Sequence, residues 1–114
     1  MLEGHTLSVT VETERPCDPA AAAEAMRSFR GDYGTLALPS APAHPIIVHD
    51  DPFRPQPRLD RDAEGGMATS VGRLRPEPVL GHGLKYVALS HNTRMGAAQG
   101  AILAAEYLCQ SGLA

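Results

Sequence analysis

Aromatic residues are scarce in this chain of 114 residues, which has no Trp, two Phe and three Tyr. A core without large rings must be thin and rest on Val, Leu and Ile, because Ala and Gly supply much of the small apolar content. Small domains with thin cores gain burial by pairing. Basic charge is not in excess either. Ten Lys and Arg against thirteen Asp and Glu leave a net charge of −3, which argues against nucleic acid, a partner that demands a basic face. No segment approaches the roughly 20 apolar residues of a membrane-spanning helix. The opening Met1-Leu2-Glu3-Gly4-His5 lacks the basic and apolar regions of a signal peptide. The expectation is a cytoplasmic protein with no membrane partner. Cys17 and Cys109 stand apart with no CxxC spacing and read as free, reduced thiols. No GxGxxG loop is present. His44, His49, His82 and His91 form no metal-ligand spacing, even with Asp50 and Asp51 beside His49, so no metal is expected.

What is present reads as one domain over residues 1–114. Residues 5–14 alternate with a period of two: Leu7, Val9 and Val11 on one side, Thr6, Ser8, Thr10 and Glu12 on the other. That pattern predicts a half-buried strand. Asp18 caps a helix with Pro19 at its first position, running through the alanines to about Arg30 and closed by Gly31 and Gly34. Residues 39–66 change character. Six prolines there forbid a helix and favour extended or polyproline geometry, leaving Ile46-Ile47-Val48 as the one strand candidate, and a segment so long is either disordered or committed to wrapping something. Strands are expected at 67–74 and 84–90, separated by a turn marked by Pro76, Pro78, Gly81 and Gly83. Residues 94–110 form a final helix that is apolar almost all round, with only Gln99 and Glu106 polar among its middle residues. Such a helix needs cover on several sides. The order predicts an α+β fold: helices packed on one face of a largely antiparallel sheet.

The residues that could carry chemistry are few. His5 opens a strand near Glu3 and could exchange protons near neutral pH, although by its place alone it reads as a surface histidine. Arg54 and Arg58 have acidic partners within reach in Asp60 and Asp62. Arg73 and Arg75 alternate on one strand face with fewer acids nearby, and are the candidates to hold a substrate carboxylate or phosphate.

Four stretches carry a resemblance. Gly4-His5-Thr6 opens a strand. Arg54-Pro55-Gln56-Pro57-Arg58-Leu59-Asp60-Arg61 precedes Val71-Gly72-Arg73-Leu74-Arg75. Leu89-Ser90-His91-Asn92-Thr93 leads to Gly96-Ala97-Ala98, and Pro39-Ser40-Ala41-Pro42 is a weaker fourth. Together they resemble the C-terminal, dimerising half of aspartate-semialdehyde dehydrogenases of the archaeal and fungal type. The resemblance implies a cysteine nucleophile, a proton-shuttling histidine and hydride exchange with NADP. It carries the catalytic histidine over to His5 and the cofactor-binding stretch to Asn92, Thr93, Gly96 and Ala97. It also lays the final helix against a nucleotide-binding domain. The family's cysteine, phosphate loop and substrate-carboxylate arginine have no counterpart here. Ala43 and His44 stand where the family has Lys and Gln, and Arg94-Met95 also departs from its pattern.

The expectation is a C-terminal domain that contributes His5 and an oligomerising surface to an NADP-dependent semialdehyde dehydrogenase. A nucleotide-binding partner chain would complete it. The isolated chain is expected to bind no NADP, to form a homodimer and to meet a small amino-acid-derived substrate. Two alternatives stay open: a free-standing, non-redox descendant catalysing proton transfer in a cyclisation or isomerisation, and a non-catalytic binding module.

Overall fold

A computed structural model of the chain describes residues 4–113. Glu3, read above as a neighbour of His5, lies outside them. The first strand, β1 (His5–Glu12), follows from the alternation of β-branched and polar residues. The Asp18 carboxylate accepts from the amides of Ala20 and Ala21 and so caps α1 (Pro19–Ser28), with Pro19 in the first turn where no N–H is needed. The chain then passes β2 (Ile46–Val48), a single turn of helix α2 (Pro57–Asp60) and a 3-10 turn at Ala63–Gly66. The hairpin β3 (Thr69–Glu77) and β4 (Gly83–Ser90) follows. A π turn at Arg94–Ala98 runs into α3 (Gln99–Gln110).

The four strands form one sheet in the order β1-β4-β3-β2. β4 pairs antiparallel with β1 and β3, while β2 runs parallel to β3. The α+β expectation holds, with a mixed rather than wholly antiparallel sheet. α1 lies against β2 and β3. It leaves β1 at the far edge thinly covered, with Leu7 56% exposed and Val9 and Val11 half-buried. The buried apolar residues among those described are Ala22, Leu38, Met67, Ala68, Val71, Leu84 and Leu89, a small set with no aromatic ring.

Four details depart from the sequence expectation. Pro57 does not prevent a helix, because it occupies the first turn of α2. Pro76 lies inside β3, paired with Leu84, rather than in a turn. β2 stops opposite Val71, so at Pro76 β3 is an edge and the missing N–H is tolerated. The alternation of Arg73 and Arg75 is broken by a bulge between Gly72 and Arg75, where Arg73 takes a left-handed backbone with φ 56°. Finally, the last helix opens as a π turn, and α3 packs chiefly on that turn. No residue of α3 is buried, and Ile102 is 52% exposed. No helix among the described residues is long and apolar enough to cross a membrane.

The proline-rich segment wraps the sheet. A side chain at Gly72 would collide with the Arg54 carbonyl, so glycine at this point lets the segment lie directly on β3. The Arg54–Pro55 peptide bond in this crossing is cis. Asp60 holds the wrap in place. Its carboxylate, only 3% exposed, accepts from Arg54 Nε at 2.8 Å, from Arg54 Nη2 and from the Gln56 amide at 2.6 Å.

Candidate functional site

One end of the sheet gathers the start of β1, the end of β4 and the start of β3. His5 sits opposite Ser90 in register, so the two side chains emerge on the same face about 5 Å apart. Ser90 Oγ is 2.8 Å from Thr69 Oγ1 on the next strand. His5 is exposed at the mouth of this row. Gly4, just before it, is buried beside Leu89 and Arg61 of the wrapping segment.

Beyond Ser90 the backbone is organised by His91, which is 2% exposed. Its Nδ1 lies 3.3 Å from the Thr93 and Arg94 amide nitrogens, both of which donate to it, and 3.2 Å from Thr93 Oγ1. Two amide donors on Nδ1 place the proton of the neutral ring on Nε2. Asp62 Oδ1 stands 3.8 Å from that nitrogen. The His91 carbonyl accepts from the Gly96 amide, and the Thr93 carbonyl from the Ala98 amide. A histidine ring and its own carbonyl thus cap the π turn that presents Gly96 and Ala97. Gly66, at φ 83°, permits this arrangement, since a Cβ there would come within 2.7 Å of the Arg94 stem and 3.1 Å of the His91 ring. Arg94 closes the contact by donating to the Gly65 carbonyl at 2.9 Å.

Asn92 stands between His91 and the turn, half-buried. Its Oδ1 is buried, and no donor among the described residues reaches it. A buried acceptor without a donor is costly, about 1–3 kcal/mol. That cost disappears when a ligand brings an N–H. The other members of the stretch are committed differently. The Thr93 hydroxyl is engaged with His91, the Gly96 amide is taken by the His91 carbonyl, and Ala97 offers a small exposed surface.

His5 and Asn92 therefore reach the same end of the sheet, while Arg73 and Arg75 do not join them. Arg75 pairs with Lys85, which in turn faces Thr10. That row lies five residues up β1 from His5, or about 16 Å. The expected substrate arginines line a groove against α1 instead.

In the sequence Asp60 reads only as an acid within reach of Arg54 and Arg58. Burial alone would raise its pKa, but the Arg54 guanidinium, the Gln56 amide and His49, whose Nε2 is 3.5 Å away, together hold the carboxyl below its ordinary value. The Pro-rich composition around Asp60 hides this role. Only the run Arg54-Pro55-Gln56-Pro57, which brings a guanidinium and a free amide to one side of a following acid, hints at it.

Residues 1–95 match the family model for the semialdehyde dehydrogenase dimerisation domain. The aspartate-semialdehyde dehydrogenase of Methanothermobacter thermautotrophicus is 46% identical over 108 residues, which are 95% of this chain and 31% of that protein. The enzyme of the same name from Cryptococcus neoformans is 44% identical over 115 residues, covering 99% of this chain and 31% of the relative. A crystal structure of aspartate-semialdehyde dehydrogenase with NADP from Candida albicans superposes with a TM-score of 0.81 at 41% identity, over 93% of this chain and 30% of that one. The chain spans about 30% of the length of the relatives it is similar to.

Proposed function

Because the chain belongs to the semialdehyde dehydrogenase family through its dimerisation domain, we propose that it works as the dimerising, acid–base part of an NADP-dependent aspartate-semialdehyde dehydrogenase. The thiol nucleophile and the nucleotide fold come from the part of the enzyme that these residues do not span. The observation that carries this reading is the meeting of His5 with the Ser90–Asn92 stretch at one sheet end, where a buried Asn92 carbonyl oxygen awaits a donor.

The residues fit a nicotinamide. Asn92 Oδ1 would accept from its carboxamide, and the small exposed residues Gly96 and Ala97 would leave room for its ring. NADP, when bound, supplies hydride transfer at the carbon joined to the enzyme thiol. His5 would take the thiol proton as the sulfur adds to the aldehyde carbon, pass it to the carbonyl oxygen, and take it back from that hydroxyl as the hydride leaves, with each transfer reversed in the opposite direction. Its place at the open end of the row leaves it free to do so. His91 keeps the turn rigid, so that Asn92 and Gly96 hold their positions. The second contribution of the domain is assembly. The thin core, the half-covered β1 and the exposed α3 leave apolar surface for a second copy and for the nucleotide-binding part.

The test is a rate and a melting curve on one variant of the assembled enzyme. His5→Gln is expected to lower kcat by about a hundredfold to ten-thousandfold, the usual contribution of a general acid–base group. The melting temperature should stay unchanged, because an exposed strand-start side chain leaves no cavity. Full activity in a well-folded His5→Gln enzyme removes the proton-shuttle assignment.

A further inference from the structure

We propose that the groove between α1 and the β3 bulge is a binding site for a small oxyanionic ligand, held by Arg73 and Arg75 with Arg27 as a third contact. The groove is open, has a volume of about 510 Å³ and is lined by Arg27, His49, Asp50, Arg73, Leu74 and Arg75 among others. Three of the chain's ten basic residues line the groove, where Asp50 is the one carboxylate among the lining residues, in a protein whose net charge is −3. A cationic recess on an acidic chain concentrates field on one small volume. Guanidinium forks match the oxygens of a phosphate or carboxylate in pairs.

The local commitments leave capacity for a ligand. Arg27 donates to Asp50 at 2.7 Å, but the Asp50 side chain is 93% exposed and the pair is weakly held. Arg75 spends one N–H on the Arg73 carbonyl. No acid among the described residues forms an ion pair with Arg73 or Arg75. The amides at the start of α1 are capped by Asp18, so the arginines rather than the helix end would hold the anion.

The backbone at Arg73 is the second, independent observation. A residue with a Cβ occupies φ 56° inside a strand, where glycine would cost less. Bulges re-aim side chains and gather beside functional sites, and a strained conformation persists where the placement of the side chain is used. Here the inserted residue turns Arg73 out of the ladder and places it on the groove wall. The inference stands apart from the redox reading, since it concerns anion binding and not hydride transfer.

The bulge supplies a discriminating variant. Arg73→Gly relieves the left-handed backbone, so the protein should melt at the same temperature or higher while losing the ligand. The experiment follows backbone amide shifts of the protein in its native assembly during titration with inorganic phosphate. A parallel titration uses succinate, and sodium chloride at matched ionic strength serves as reference. Saturable shifts at groove residues with phosphate or succinate, weakened about tenfold or more in Arg73→Gly and in Arg75→Gln but kept in Arg58→Gln, support the site. The tighter of the two probes identifies the anion as phosphate-like or carboxylate-like. Shifts that sodium chloride reproduces, or equal binding by Arg73→Gly and Arg75→Gln, overturn it. A drop in melting temperature for Arg73→Gly would mean that the side chain serves the fold, and would count against the proposal in the same way.

Discussion

Asp60 accepts two hydrogen bonds from Arg54 and one from the Gln56 amide while almost closed to water. Removing one partner of such a group strands the other in a site that cannot hydrate it. Asp60→Asn is therefore expected to lose about 3 kcal/mol of stability, at the lower end of the cost of breaking a buried pair because Arg54 keeps some solvent. Denaturant unfolding at neutral pH measures it. The carboxyl also makes stability depend on acid. Its folded pKa lies below the unfolded value, so its contribution is complete above the unfolded pKa of about 3.9 and fades as pH falls through the folded one. Melting curves from pH 6 downward should show the native protein losing stability below about pH 4, with that component absent in Asp60→Asn. Equal acid sensitivity of the two proteins would assign the loss to other carboxylates. His5 and Arg73 belong to the same scale, and each is tested by a variant that separates its chemistry from its fold.

Among the elements, α3 is the least supported. Twelve residues of isolated helix are marginal in water, and none of these is buried. Its firm tie to the rest of the chain is Glu106, which accepts from the Ser40 amide at 3.0 Å and the Ser40 hydroxyl at 2.8 Å. Hydrogen bonds to a charged group contribute about 1.5–3 kcal/mol. Glu106→Ala should therefore speed amide hydrogen exchange in α3 by roughly tenfold while leaving the β3–β4 hairpin unchanged. Uniform acceleration across the chain would show α3 to be part of the global unit. β1, α1 and the hairpin were legible in the sequence because local signals define them: a period of two, an Asp-Pro cap, and turn residues at fixed places. For the proline-rich segment only the choice between disorder and wrapping was legible; the partner of the wrap, the bulge and the π turn were not. Each depends on a partner distant in sequence or on a ring acting as a cap: Arg54 over Gly72, two residues of β3 facing Tyr86, and His91 beneath Arg94. His5 and Asn92 were named through resemblance alone, since nothing local announces that residues so far apart share a sheet end. Arg73 and Arg75 read in the sequence as alternating on one strand face, and the bulge between Gly72 and Arg75 breaks that pattern, because alternation does not reveal an inserted residue.

As a whole the molecule is a slab, 45 × 33 × 18 Å, with a radius of gyration of 15.2 Å, where a compact chain of this length would have about 13 Å. One sheet with a single helix lying against it leaves large areas open, and contiguous exposed apolar patches beyond a few hundred Å² are uncommon in soluble monomers. The chain is expected to sediment at twice its 12.1 kDa mass at tens of micromolar. A clean monomer there would remove the dimer from the proposal. The sheet register has a further consequence for how the chain is made. His5 pairs with Ser90, so the earlier strand of this pair must wait for a partner 85 positions later, roughly 4 to 17 seconds at ordinary elongation rates. Throughout that interval β1 is an unpaired edge open to neighbouring nascent chains. Its face of Thr6, Ser8, Thr10 and Glu12 keeps the waiting strand from offering a continuous apolar template. The quantity most sensitive to that face is the soluble yield during synthesis rather than the melting temperature of the finished fold.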